Sequence, residues 1–137
     1  MRAVLGPNVI ISATLSPGGS PARALCLWVE GGFELVCSPL LLDDLARALT
    51  YPKLSKHIGS DEADELIGVL GRGALMVDDP TIPPNISSPD PDDKYLIALA
   101  EKSRSVLVSG DRDLLELSGQ IPVYSPTQFL ALVEEHS

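Results

Sequence analysis

The sequence predicts an α/β fold: a three-layer α/β/α sandwich with a central parallel sheet. Three observations lead there. Short apolar runs of strand length alternate with segments of helical periodicity along the whole chain. The length of 137 residues suits a single domain, residues 1–137, with a real core. Finally, acidic residues gather where apolar strands end and helices begin, which is where open parallel sheets build their sites.

The elements follow in order. Residues 2–5 read as the first strand, and residues 21–29 as a helical segment after the turn Ser16-Pro17-Gly18-Gly19. Residues 34–37 form a short strand. Ser38-Pro39 then opens a helix with a capping hydroxyl and a proline in the first turn, and that helix should stop before Pro52. Another helix is expected over 61–70 and a strand over 74–77. Residues 79–91, rich in Pro, Ser and Asn, read as a loop. The strongest helical pattern spans 90–102, followed by a buried strand over 106–108 and a short helix over 114–117. The last strand and helix fall at 123–124 and 126–134. Right-handed crossovers would then cover the sheet on both faces.

Composition narrows the function classes. Apolar residues make up 45% and charged residues 21%, a globular balance. The net charge of −9 argues against a surface that coats nucleic acid electrostatically. An acidic metal pocket would itself contribute to that charge, so a nuclease is not excluded. Its attraction for a polyanion would have to come from a local rim drawn from Arg23, Arg47, Lys53, Lys56, Arg104 and Arg112. No apolar run nears the ~20 residues of a membrane span, and no signal-peptide pattern opens the chain. Cys26 and Cys37 lack metal-ligand spacing and read as small buried residues of a reducing, cytoplasmic protein.

The carboxylates carry the chemistry, and each has a structural reading beside its functional one. In Asp90-Pro91-Asp92-Asp93, Asp90 is placed to cap a helix and Asp93 to sit in its first turn. At 100° per residue, Asp93 also heads the stripe of Leu96, Ile97 and Ala100, the face that should pack on the sheet. A carboxylate in that position needs a partner. Gly110 permits a tight exit from the strand, and Asp111 after it can cap the next helix, point into the crevice, or both; Asp113 would fall in that helix's first turn. On the helix opened by Ser38, Asp44 lies slightly nearer the stripe of Leu41, Leu42, Leu45 and Leu49 than Asp43 does. Asp61-Glu62-Asp64-Glu65 reads as a solvated helix start.

Other candidates are weaker. His57 and His136 read as exposed loop and tail, so no nucleophilic triad assembles around a histidine. Gly18-Gly19 and Gly31-Gly32 match no phosphate-binding fingerprint. Trp28 and Phe33 read as core.

Several phrases in fixed order resemble the PIN-domain family, in particular the branch that supplies toxins of toxin–antitoxin pairs. They are Met1-Arg2-Ala3-Val4-Leu5 with Asn8-Val9-Ile10-Ile11-Ser12-Ala13, then Ser16-Pro17-Gly18-Gly19-Ser20-Pro21 and Ser38-Pro39-Leu40-Leu41. Leu49 with Pro52-Lys53-Leu54, Asp90-Pro91-Asp92-Asp93, and Val108-Ser109-Gly110-Asp111-Arg112-Asp113-Leu114-Leu115 complete the set. The resemblance implies a ribonuclease dependent on Mg²⁺ or Mn²⁺, with RNA as substrate, a cognate antitoxin protein as partner, and self-association into a homo-oligomer. It assigns Asp93, Asp111 and Asp44 as catalytic metal ligands, with Asn8, Asp90, Ser109 and Asp113 as accessory residues. Asp44 stands where the family usually has the longer Glu.

One departure is large. The family opens with Asp-Thr-Asn after the first strand, and this chain has Gly6-Pro7-Asn8. The missing Asp is normally a metal ligand, and proline also lacks a hydroxyl and an N–H. The alternative reading is therefore a catalytically silent PIN module that acts through protein binding or self-association. A receiver-type phosphoacceptor on a similar sheet fits less well, because the first strand ends without acids.

Overall fold

A computed structural model describes residues 1–81 and 94–135. Asp90, Asp93 and His136 lie outside these described residues.

Five parallel strands form the sheet, in the order β3-β2-β1-β4-β5. Strand β1 (Arg2–Leu5) is central, pairing with β2 (Glu34–Cys37) through Val4↔Val36 and with β4 (Val106–Val108) through Leu5↔Val108. Strands β3 (Leu75–Met76) and β5 (Val123–Tyr124) form the two edges. Ala3, Val4 and Leu5 are wholly buried, as expected for a strand covered on both faces. The chain winds outward from β1 to β3, then returns across β1 to β4 and β5. With right-handed crossovers, that reversal puts the early connections on one face and the β3–β4 connection on the other. The topological switch lies between β1 and β4, and open parallel sheets form their crevice at the carboxyl ends of the strands at such a point.

Helix α1 (Pro7–Leu15) was not anticipated from the sequence. Its run Val9-Ile10-Ile11 is β-branched and costs a few tenths of a kcal/mol of helix propensity per residue. All three side chains are buried, however, and burial contributes about 1.5–3 kcal/mol each, so packing decides. Helix α2 (Ser20–Val29) follows the expected turn. Helix α3 (Pro39–Leu49) starts where predicted: the Ser38 hydroxyl accepts the Leu41 N–H at 3.2 Å, and Leu41, Leu45 and Leu49 are buried on one stripe. A single turn, α4 (Pro52–Ser55), was also unforeseen.

Helix α5 (Ser60–Gly73) is longer at both ends than expected, with Asp61 and Glu62 in its first turn. Helix α6 (Lys94–Ser103) packs on β1 and β4, burying Leu96, Ile97 and Ala100 as the periodicity required. It ends in a Schellman motif: Ser105 N–H bonds to Ala100 O at 2.9 Å and Arg104 N–H to Glu101 O at 3.3 Å. Arg104 occupies the left-handed region at φ 54°, which costs a non-glycine residue roughly 1–2 kcal/mol. The short helix α7 (Arg112–Leu115) begins two residues before the predicted 114–117, because Asp111 caps it. Helix α8 (Pro126–Glu135) returns to α2, and Phe129 meets Phe33 edge-on at 4.9 Å.

Two expectations need correction. Cys37 is buried, but Cys26 is exposed: it lines an open surface cavity with Arg23 and Leu27 of α2, Glu30 just after it, and Leu130 and Glu134 of α8. Gly110 does not use a glycine-only conformation: it is absent from the left-handed region, and a Cβ there would meet open space. Among the described residues, no helix is long and apolar enough to cross a membrane.

Candidate active-site crevice

The first wall of the crevice is the paired exit of β1 and β4. Gly6 donates its N–H to Val108 O at 3.0 Å, so position 6 sits directly beside the fourth strand. Its backbone is extended (φ −60°, ψ 153°), and an added Cβ would lie 3.6 Å from Val108 O and 3.9 Å from Leu96 Cδ1. These are ordinary van der Waals distances. Neither backbone nor space demands glycine here, so the missing acid is a difference of chemistry alone. Pro7 occupies the first turn of α1, and Asn8 is exposed beside it.

On β4 the chain leaves through buried Ser109, whose hydroxyl accepts the Asp111 N–H at 3.0 Å. The Asp111 carboxylate accepts the Asp113 N–H, also at 3.0 Å. Two successive side-chain-to-backbone bonds thus shape the turn and cap α7. One oxygen of Asp111 is engaged this way, which leaves carboxylate lone pairs for another ligand. Asp113 is half-buried in the first turn of α7, as expected, and Arg112 beside it is exposed.

The second wall comes from α3 and the segment after β3. Asp44 is half-buried and Asp43 exposed, so the small difference read from periodicity is real. Asp44 pairs with Arg47 Nη1 at 3.3 Å and accepts a hydrogen bond from the Tyr95 hydroxyl on α6. Asp79 caps α3 from outside: its Oδ2 accepts the Leu40 N–H at 2.9 Å. The other oxygen, Oδ1, is buried with no hydrogen-bond partner among the described residues. Burial drives the Tyr95 phenol far above its ordinary pKa. The bond to Asp44 and the nearby Asp44, Asp79 and Cys37 push the same way. Burial likewise raises the Cys37 thiol to about 11; the Ser38 backbone bond lowers it and Asp79 raises it.

Tyr95 and Asp79 were missed from sequence. Tyr95 lies off the apolar stripe of α6, and its partner is far away in the chain. Asp79 begins a loop, where no periodicity reports orientation. Of the proposed basic rim, Arg112 stands next to Asp111, whereas Arg104 lines a cavity with Met1 and Arg2, at the amino ends of the strands.

The donor types suit a hard cation: carboxylate oxygens, one of them the orphaned Oδ1 of Asp79. Among the described residues, however, no three acidic, histidine or cysteine side chains come together to hold a metal. A complete set would need Asp93, outside the described residues.

A family model described as PIN domain matches residues 2–113. The chain belongs to the PIN domain family. An uncharacterized protein of Methanocaldococcus jannaschii, MJ1680, is 29% identical over 117 residues, spanning 85% of this chain and 75% of its own. Among solved structures, this PIN domain is similar to a chain of VapBC2 from Rickettsia felis, a complex bound to a DNA fragment from their promoter. The TM-score is 0.63 at 14% identity, over 91% of this chain and 98% of that one. A PilT N-terminus domain protein of the archaeon Sulfolobus solfataricus, SSO1118, gives 0.55 at 17% identity, over 100% and 97%. At these identities the structural likeness concerns the fold.

Proposed function

We propose that this PIN domain is a metal-dependent ribonuclease, the toxin of a toxin–antitoxin pair, working as one unit over residues 1–137. The observation that carries this reading is the position of Ser109 and Asp111 beside Gly6, at the switch point between β1 and β4. The likeness to a VapBC complex is what supports a protein antitoxin as partner.

In this reading Asp93, Asp111 and Asp44 hold Mg²⁺ or Mn²⁺, directly or through water. When bound, the cation supplies charge neutralisation and an acidified water for phosphodiester hydrolysis. Tyr95 orients Asp44 by its hydrogen bond. Ser109 holds the Asp111 backbone, which aims the carboxylate outward from the strand end. Arg112 offers the incoming phosphate a positive neighbour on an otherwise acidic chain. Asn8, Asp90 and Asp113 act as accessory groups around the cleft.

Gly6 favours a second reading on one specific observation. An acid would fit there without strain, and none is present. A silent module that binds a protein partner or a second copy of itself is the result.

The test is cleavage of single-stranded RNA by the full chain with Mn²⁺ or Mg²⁺, beside Asp111→Asn and Asp93→Asn. Nuclease activity should fall at least about a hundredfold in either variant, more than 2.7 kcal/mol of transition-state stabilisation. Asparagine still caps a helix, so the fold should persist. Equal cleavage by parent and variants means a contaminating nuclease. No cleavage by the parent with either metal establishes the silent reading.

A further inference from the structure

At the amino ends of the strands, on the edge of the sheet opposite the acidic crevice, lies a cavity of about 340 Å³. Its apolar lining includes the fully buried Ile97 and Leu107, with Ala100 and Ile121. Arg2 and Arg104 stand at its rim together with Glu101. This volume lies within the range of small-ligand sites, and the mostly apolar wall with a few charged groups is how such sites are built.

Two features point to the kind of ligand. Arg104 is the position of the α6 Schellman motif where glycine is favoured, yet it carries a long cationic side chain at φ 54°. Backbone strain of this sort collects at functional positions. Arg2 is held only loosely, by Glu34 at 3.6 Å and by Ser103 O at 3.4 Å. Arg2 and Arg104 thus both line an apolar opening, Arg2 already paired with Glu34 and Arg104 sharing the rim with Glu101.

We propose that this cavity binds a free small carboxylate with a short apolar chain. The chain lies on Ala100, Val106 and Ile121, over the buried Ile97 and Leu107, and the carboxylate pairs with Arg104, whose planar fork suits bidentate contact. The proposal is independent of the nuclease reading, because it shares no residue with the crevice.

Hexanoate titrated into the full chain tests it, followed by ¹H–¹⁵N correlation spectra. Saturable shifts should be confined to the amides of Ala100, Arg104, Ser105, Val106, Leu107 and Ile121. Hexan-1-ol and acetate should each bind at least tenfold more weakly, since each lacks one half of the match. Arg104→Gly relieves the left-handed strain, so it should keep or raise the melting temperature while weakening hexanoate at least tenfold. The proposal is overturned by shifts that do not saturate or lie elsewhere, or by hexanol binding as well as hexanoate. Parent-like affinity in Arg104→Gly overturns it too. Tighter binding of hexyl phosphate overturns the assignment to a carboxylate.

Discussion

The two walls of the crevice hold their acids by different means. Beside β4, Asp111 is fixed by its own neighbourhood: Ser109, two residues back, bonds its N–H, and it bonds the N–H of Asp113. Beside α3, Asp44 and Asp79 are fixed across the chain, by Tyr95 on α6 and by the first turn of α3. A locally held acid depends on a few consecutive residues and tolerates change elsewhere. A remotely held one reports whether α3, α6 and the segment after β3 have docked together. Gly6 lies on the same wall as Asp111, joined to it across the chain by its bond to Val108, and contributes backbone alone.

The sharpest way to break this contrast is to give the local wall the acid it lacks. Gly6→Asp with Pro7→Thr should strengthen Mn²⁺ binding by about tenfold or more, roughly 1.4 kcal/mol, read by calorimetry. RNA cleavage should rise with it. Pro7→Thr alone restores the hydroxyl without the charge and should change little. If the double variant binds no better, position 6 does not face the metal.

A smaller effect is expected on the remote wall. Tyr95→Phe keeps the ring and deletes the bond to Asp44, which should cost about 1 kcal/mol in urea denaturation. Unchanged stability would show that Asp44 is held by Arg47 alone. The smallest effect is a pH slope. Cys37 titrates at about 11 in the fold against 9.0 as its ordinary value, so the folded state keeps a proton that the unfolded chain releases. Stability is therefore complete below pH 9 and declines as pH rises from 9 toward 11. The raised Tyr95 adds in the same direction at higher pH. Denaturation midpoints at pH 8, 9 and 10 should fall in order, and Cys37→Ala should flatten the early part of that fall.

Legibility in the sequence follows the same division. The cap of α3 by Ser38, the closer approach of Asp44 over Asp43, and the turn from Ser109 to Asp113 all rest on residues within one helical turn of each other. Local rules read them correctly. The start of α7 came out two residues late because the predicted range began from Leu114, although Asp111 had been read as a possible cap. Helix α1 was lost because propensity and burial oppose each other at Val9, Ile10 and Ile11, and only the packed neighbours decide. Tyr95 donating to Asp44, and Asp79 capping α3, join segments that no periodicity connects. Arg104 looked like part of a nucleic-acid rim because charge was counted without knowing which end of the sheet it occupies. Asp90 and Asp93, central to the resemblance, fall outside the described residues.

The pairing of β1 also sets when the crevice can exist. Leu5 is made early, but its partner Val108 emerges from the ribosome about a hundred residues later, roughly 5–20 s at ordinary synthesis rates. Until then β1 has only β2 beside it, and the corner between Gly6 and Ser109 has no second side. The cleft therefore assembles only after Val108 has emerged, and throughout that interval the Gly6 corner stands one-sided.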